Sequence, residues 1–265
     1  GYWPSLFRVS GFWLTPVEWK FSCATCADIS SSRKPNAEDE LCPIHVKLKV
    51  FLDSSAERPI FISLSSVGNM GYLRNPQAFL RVIRNVLDIT NHGFTDGYRP
   101  LDAALKIYAQ TPSSSATEQM QSSEIKSCLF DGRLFCFSGA VPYTWLFPRC
   151  AAAIHHGGSG STAAALHTGI PQIICPFILD QSYWAEKMFW LGVAPEPLNC
   201  AYLLPNKDDD ACLSKDANVL VEAINYAFPL KLHATQIAER ISTEDGVSTA
   251  LQIIKKEILQ IDVKG

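Results

Sequence analysis

Along this chain, short apolar runs alternate with longer stretches whose apolar positions fall three and four residues apart. Pro59-Ile-Phe-Ile-Ser-Leu-Ser is apolar and β-branched, which predicts a buried strand. After a loop containing Gly68 and Gly71, the segment Pro76 to Ile89 carries Phe79, Val82, Ile83, Val86 and Leu87 on one helical face. Arg133-Leu-Phe-Cys-Phe-Ser, Ala151-Ala-Ala-Ile-His and Pro171-Gln-Ile-Ile-Cys-Pro-Phe predict three more strands. Helical segments are expected at Leu101 to Ala109, Tyr143 to Phe147, Ser161 to Thr168, Ser182 to Leu191, Asn218 to Ala227 and Thr249 to Ile261. Strands that alternate with helices imply an α/β fold, a parallel sheet with helices on both faces. One place breaks the pattern, because a doubly wound sheet needs a strand near residues 90–97 and Thr90-Asn-His-Gly-Phe-Thr-Asp-Gly is almost devoid of apolar residues. Residues 110–127 are Ser- and Gln-rich and predict a mobile loop.

Composition narrows the class. With 47% hydrophobic and 18% charged residues in 265, the chain can bury a core, and one large or two smaller domains fit that length. The 23 Lys and Arg against 26 Asp and Glu leave a net charge of -3, so there is no basic surplus of the kind that neutralises nucleic-acid phosphates. The longest apolar runs are strand-length, well short of the roughly 18–20 residues of a membrane-spanning helix. The sequence starts at Gly1, not Met, and shows no charged segment leading into an apolar one. No signal peptide is expected, and the sequence reads as part of something longer.

The nine cysteines are an odd number, scattered through the chain, which predicts a reducing, cytoplasmic setting rather than a disulfide framework. Cys23-x-x-Cys26 followed by Cys42-x-x-His45 has a spacing that could surround a tetrahedral zinc, although a polar loop flanked by small thiols reads the same way. Residues 1–21 hold Tyr2, Trp3, Phe7, Phe12, Trp13, Trp19 and Phe21, an aromatic density that demands a covering surface. Residues 22–56 read as a polar linker, and the domain proper as residues 57–265.

The chemistry concentrates in Ala151-Ala-Ala-Ile-His-His-Gly-Gly-Ser-Gly-Ser-Thr-Ala-Ala-Ala-Leu-His-Thr-Gly-Ile-Pro, where a strand enters a glycine turn that opens a helix. Unpaired amides and a partial positive charge make such a helix start an anion site, and glycines let the anion approach the backbone. No Lys follows the glycines as in a Walker loop, and Gly157-Gly158-x-Gly160 differs from the dinucleotide fingerprint. The next strand ends in Pro176-Phe-Ile-Leu-Asp180-Gln181, so a carboxylate and an amide stand at the same edge of the sheet as the turn. A diphosphate on the first loop and sugar hydroxyls on the second is the arrangement this predicts. Plainer roles exist for each residue: His155 as packing at a buried strand end, Asp180 as a helix cap, and Trp184 and Trp190 as core.

The run from Trp145-Leu-Phe-Pro-x-Cys150 through His155-His-Gly-Gly-Ser-Gly-Ser-Thr-Ala-Ala to Pro176-Phe-x-x-Asp180-Gln-x-x-Trp184 resembles the nucleotide-sugar signature of UDP-glucose:sterol glucosyltransferases, within the UDP-glycosyltransferase family of GT-B fold. The resemblance extends upstream to Tyr2-Trp-Pro and Gly11-Phe-Trp, similar to the segment that joins the two halves of such enzymes, and downstream to Glu244-Asp-Gly-Val247. It implies a GT-B C-terminal Rossmann-like domain in which His156, Gly157, Gly158, Ser159, Gly160 and Ser161 meet the UDP phosphates. Asp180 and Gln181 would bind the glucosyl hydroxyls, and the backbone of Val141 and Pro142 would face uracil. The family's first strand usually ends in Gly-x-Gly-Ser near the diphosphate, where this chain has Ser63-Leu-Ser65-Ser66.

The resemblance further implies inverting transfer of glucose from UDP-glucose, with no cofactor, to a lipid or sterol-like hydroxyl, and is compatible with peripheral membrane contact. It places the acceptor site and the base in an N-terminal domain, of which residues 1–21 would be a remnant with the interdomain segment. No catalytic residue is then expected in this chain, which alone would turn over little. Two other readings fit the residues: a nucleotide-sugar-binding module without catalysis, and an interaction protein stabilised by zinc on Cys23, Cys26, Cys42 and His45.

Overall fold

The computed structural model describes residues 7–14, 43–54, 57–64, 70–90, 94–96, 128–136 and 141–257. Five parallel strands form the body of the sheet: β1 (Ile60–Ser63), β2 (Phe94–Asp96), β4 (Leu134–Cys136), β5 (Ala153–His155) and β6 (Gln172–Ile174). A two-residue strand, β3 (Cys128–Leu129), pairs antiparallel with β4 at one edge. The order is β3-β4-β2-β1-β5-β6. Reading outward from β1, the chain winds first toward β2 and β4 and then reverses to β5 and β6. The reversal puts a topological switch point between β1 and β5, and open α/β sheets bind ligands at the carboxyl ends of the strands at such a point.

Side-chain alternation fills both faces. Ile60, Ile62, Ile154 and Ile173 join α2 (Pro76–Ile89), Leu203 of the short α6 (Cys200–Leu203) and α7 (Asp210–Ala227) in one core cluster. Phe61, Phe135 and Ala153 point the other way, against α1 (Pro43–Ser54), α3 (Tyr143–Leu146) and α4 (Ser159–Thr168). There Phe61 meets both Tyr143 and Phe147 at ring distances of 5.5 and 5.3 Å. A third cluster joins Leu166 and Ile174 to α5 (Gln181–Trp190) and α8 (Lys231–Ile241). Asn75 starts α2 by accepting from the Ala78 amide at 3.0 Å, with Pro76 at the first helical position, and Asp209 does the same for α7 through Cys212. Arg81 of α2 pairs with Asp208 and Asp210, which ties the two helices together at that end.

Several expectations change. The strand missing from the pattern is β2, which pairs with β1 on one side and β4 on the other, so the ladder supplies what its composition does not. Residues 43–54, inside the segment read as a polar linker, form α1, whose Leu48, Phe51 and Leu52 are buried while its Lys and Asp face out. Helix α8 has only Ala234 and Ile237 buried, too narrow an apolar stripe to stand out by period. Trp190 is 79% exposed and so is not a core residue. The expected helix at 101–109 and loop at 110–127 lie outside the described residues.

The N-terminal segment meets the opposite end of the chain. A Cβ at Gly246, where α9 (Gly246–Glu257) begins, would lie 2.3 Å from the Phe12 carbonyl oxygen, and one at Gly11 would sit 3.5 Å from Glu244 Oε2. The two outlying stretches of the resemblance, Gly11-Phe12-Trp13 and Glu244 to Val247, are therefore in contact. Phe7 and Trp13 are 60% and 65% exposed on that segment. Among the described residues no helix is long and apolar enough to cross a membrane.

Candidate functional site

Strand β5 ends at His155, and the turn to α4 spans only His156, Gly157 and Gly158. So tight a reversal needs a positive φ, and Gly157 supplies it at 83°. The Gly157 amide donates to Nδ1 of His155 at 3.1 Å. An Nδ1 that accepts leaves the imidazole proton on Nε2, which donates to Gln172 Oε1 at 3.0 Å. Full burial pushes the His155 pKa down to about 3, with the neighbouring His156 acting in the same direction and the Gln172 bond opposing it. His155 is thus a neutral brace that shapes the turn from behind.

His156 faces the other way. Its Nδ1 is buried and has no hydrogen-bond partner. Burial lowers its pKa, and the Asp180 carboxylate pulls in the opposite direction. Its ring lies over Gly158, where a Cβ would come within 2.4 Å of Nε2. The glycine is required there for contact with the imidazole, not for its φ. Helix α4 then starts at Ser159, with Ser159 and Gly160 exposed and Ser161 largely covered. The Thr162 amide bonds back to the Gly158 carbonyl, so the amides before it are the unpaired donors of the helix start.

The second loop packs directly on this turn: a Cβ at Gly157 would lie 3.1 Å from the Gln181 carbonyl oxygen and 2.8 Å from Ile174 Cγ2. Asp180 occupies the cap position of α5 but makes no capping bond with its side chain. Its Oδ2 accepts instead from the Trp184 indole N–H at 2.8 Å. Trp184, read from the sequence as core, is a half-buried partner of the candidate sugar ligand. The signal available for it was the one-turn spacing from Asp180. Gln181 is buried, and its Oε1 accepts from the amides of Phe177 and Ile178 at 2.8 and 3.1 Å. Only its NH2 end can then serve a ligand.

Of the other expected residues, Val141 and Pro142 follow the carboxyl end of β4, both half-buried, and the Pro142 carbonyl accepts from the Trp145 and Leu146 amides. Ser65 and Ser66 lie outside the described residues, directly after Leu64 at the carboxyl end of β1. Cys23, Cys26 and Cys42 also lie outside them; His45 is buried in α1. Among the described residues no three His, Cys, Asp or Glu side chains cluster as metal ligands would.

The tip of the second loop is strained. Leu179 has φ 57° and is 87% exposed, a left-handed conformation that costs an L-residue about 1–2 kcal/mol with no packing in return. Leu179→Gly should therefore stabilise the chain by about 1 kcal/mol, raising the melting temperature by about 2–4 °C. A melting temperature that stays level or falls would contradict the strain.

Comparison with known proteins bears on the fold and the sequence. Residues 133–240 match the family described as Erythromycin biosynthesis protein CIII-like, C-terminal domain. A sterol 3-beta-glucosyltransferase of Arabidopsis thaliana is 38% identical over 120 residues, 44% of this chain and 17% of the relative. One from Eremothecium gossypii is 35% identical over 137 residues, 51% of this chain and 10% of the relative. Among solved structures, the glycotransferase of kitacinnamycin superposes with a TM-score of 0.53 at 15% identity, covering 84% of this chain and 46% of that one. Phytolacca americana UGT2, complexed with UDP-2fluoro-glucose and pterostilbene, gives 0.53 at 17% identity with the same coverage. The chain thus spans less than half of these structures and less than a fifth of these sequence relatives. The parallel sheet with helices on both faces is that of the GT-B fold, and the family match lies on residues 133–240 of it.

Proposed function

We propose that this chain is the donor-binding half of a glycosyltransferase that uses UDP-glucose and delivers the hexose to a lipid hydroxyl of sterol type. The observation that carries the reading is the buried, unpartnered Nδ1 of His156 in the turn that leads to the unpaired amides of α4, at the switch point of the sheet. A diphosphate seated on Gly158 to Ser161 would accept from those amides and from His156, and the helix dipole would stabilise the charge that develops on departing UDP. Asp180 and the NH2 end of Gln181 would hold the glucosyl hydroxyls. Val141 and Pro142 are assigned to the uracil side, and Ser65 and Ser66 to the diphosphate side. The acceptor and the base that deprotonates it would come from residues beyond those in this chain, as the share of each relative that is matched suggests. The sterol acceptor and the glucosyl donor rest on the sequence relatives, two of which are named for that activity.

Calorimetry of the full chain with UDP and UDP-glucose tests this directly. Both should bind, and His156→Ala should weaken both by about tenfold or more, the worth of a hydrogen bond to a charged group, without loss of fold. Failure of the wild-type chain to bind either ligand, or equal affinity in His156→Ala, would overturn the reading.

A further inference from the structure

Asp180 is exposed and makes no capping bond, so by itself its carboxylate would sweep through several rotamers. The indole N–H of Trp184, one turn along α5, removes that freedom by engaging Oδ2 at 2.8 Å. The indole is held in turn: the Phe12 ring packs on it at 5.6 Å, tilted by 50°, and Tyr183 meets it edge-on at 5.4 Å. Phe12 leans on the cluster of Ile174, Ala185 and Met188, and its carbonyl is pressed against Gly246. A line of contacts runs from the start of α9 through the N-terminal segment to one carboxylate oxygen, and the other oxygen is left pointing in a fixed direction.

We propose that Trp184 is a positioning residue for the donor sugar, setting the Asp180 carboxylate through its indole N–H, with Phe12 bracing the indole. The proposal rests on the donor-site reading above. Gln181 supports the same logic, because its amide oxygen is also spent on its own loop. Both members of the acid–amide pair are fixed before any ligand arrives, and a site ordered in advance loses less freedom on binding.

The test separates sugar from nucleotide. Trp184→Phe keeps a ring for Phe12 to pack on and removes only the donor. In the full chain it should weaken UDP-glucose binding by about fivefold, the typical worth of one hydrogen bond, while UDP binding stays within about twofold and reports that the site is folded. In an Asp180→Ala background the same substitution should add nothing, because the side chain through which Trp184 acts is gone. Equal weakening of both ligands would mark Trp184 as packing alone and overturn the role. So would an unchanged ratio, or a further loss in the Asp180→Ala background. A wild-type chain that binds neither ligand would bring down the donor-site reading and this role with it, whereas normal wild-type binding with an unchanged ratio in Trp184→Phe overturns only the role.

Discussion

Gly157→Ala should destabilise the chain by about 2–4 kcal/mol. Two costs act together. The backbone at φ 83° is one that L-residues rarely adopt. The new Cβ would also stand 2.8 Å from Ile174 Cγ2 in the third core cluster and 3.1 Å from the Gln181 carbonyl oxygen, and neither is the free end of a flexible side chain. Relief would require the turn to move, and movement breaks the bond from the Gly157 amide to His155 Nδ1, leaving a buried acceptor unpaired. The melting temperature should fall by about 10 °C for a chain of this size. Gly160→Ala is the matched control: nothing lies within 4 Å of its Cβ and its φ is not positive, so alanine there should leave stability level or raise it slightly. Equal melting of Gly157→Ala and wild type would show that the turn is not built as described.

The same turn shows which parts of the structure could be read from the sequence. A strand running into glycines and then a helix is a local pattern, and its apolar flanks are buried on both faces, so β5, α4 and β6 stand out by composition alone. Strand β2 does not, because three residues held by ladders on both sides need little apolar character of their own. Helix α1 was hidden for another reason: it follows directly on the polar stretch 22–42, and its exposed Val46 and Val50 blur the stripe of Leu48, Phe51 and Leu52 that would mark a face. In the site, the residue types that meet an anion and a sugar were legible, but their partners were not. That Asp180 gives an oxygen to Trp184, and Gln181 to the amides of its own loop, depends on rotamers that only the packed loop selects. The role of Gly158 was hidden in the same way. Its glycine reads as a phosphate approach, yet the nearest reason for it is the His156 imidazole two residues before it.

Acid should unfold this protein earlier than its carboxylates alone would dictate, because of His155. In the folded chain the imidazole is fully buried, donates to Gln172 and accepts from Gly157, and it resists protonation down to about 3. In the unfolded chain it takes a proton near its ordinary value of 6.5. Between those two values the unfolded state holds one more proton than the folded one, so stability rises with pH across that window and falls as acid is added. The slope is about 1.4 kcal/mol per pH unit well inside the window, or about 2 kcal/mol lost between pH 7 and pH 5. His156, whose pKa burial also lowers, adds to the same trend. His155→Asn isolates the first contribution, since an amide oxygen can accept from Gly157 near the place of Nδ1 and cannot titrate. Its stability at pH 7 should be lower, because the bond to Gln172 is gone, but its loss between pH 7 and pH 5 should be smaller than that of wild type by about 2 kcal/mol. Urea unfolding of both chains at pH 7, 6 and 5 measures the difference in slope, and parallel lines would mean that His155 is protonated in the folded turn and that the tautomer assigned to it is wrong.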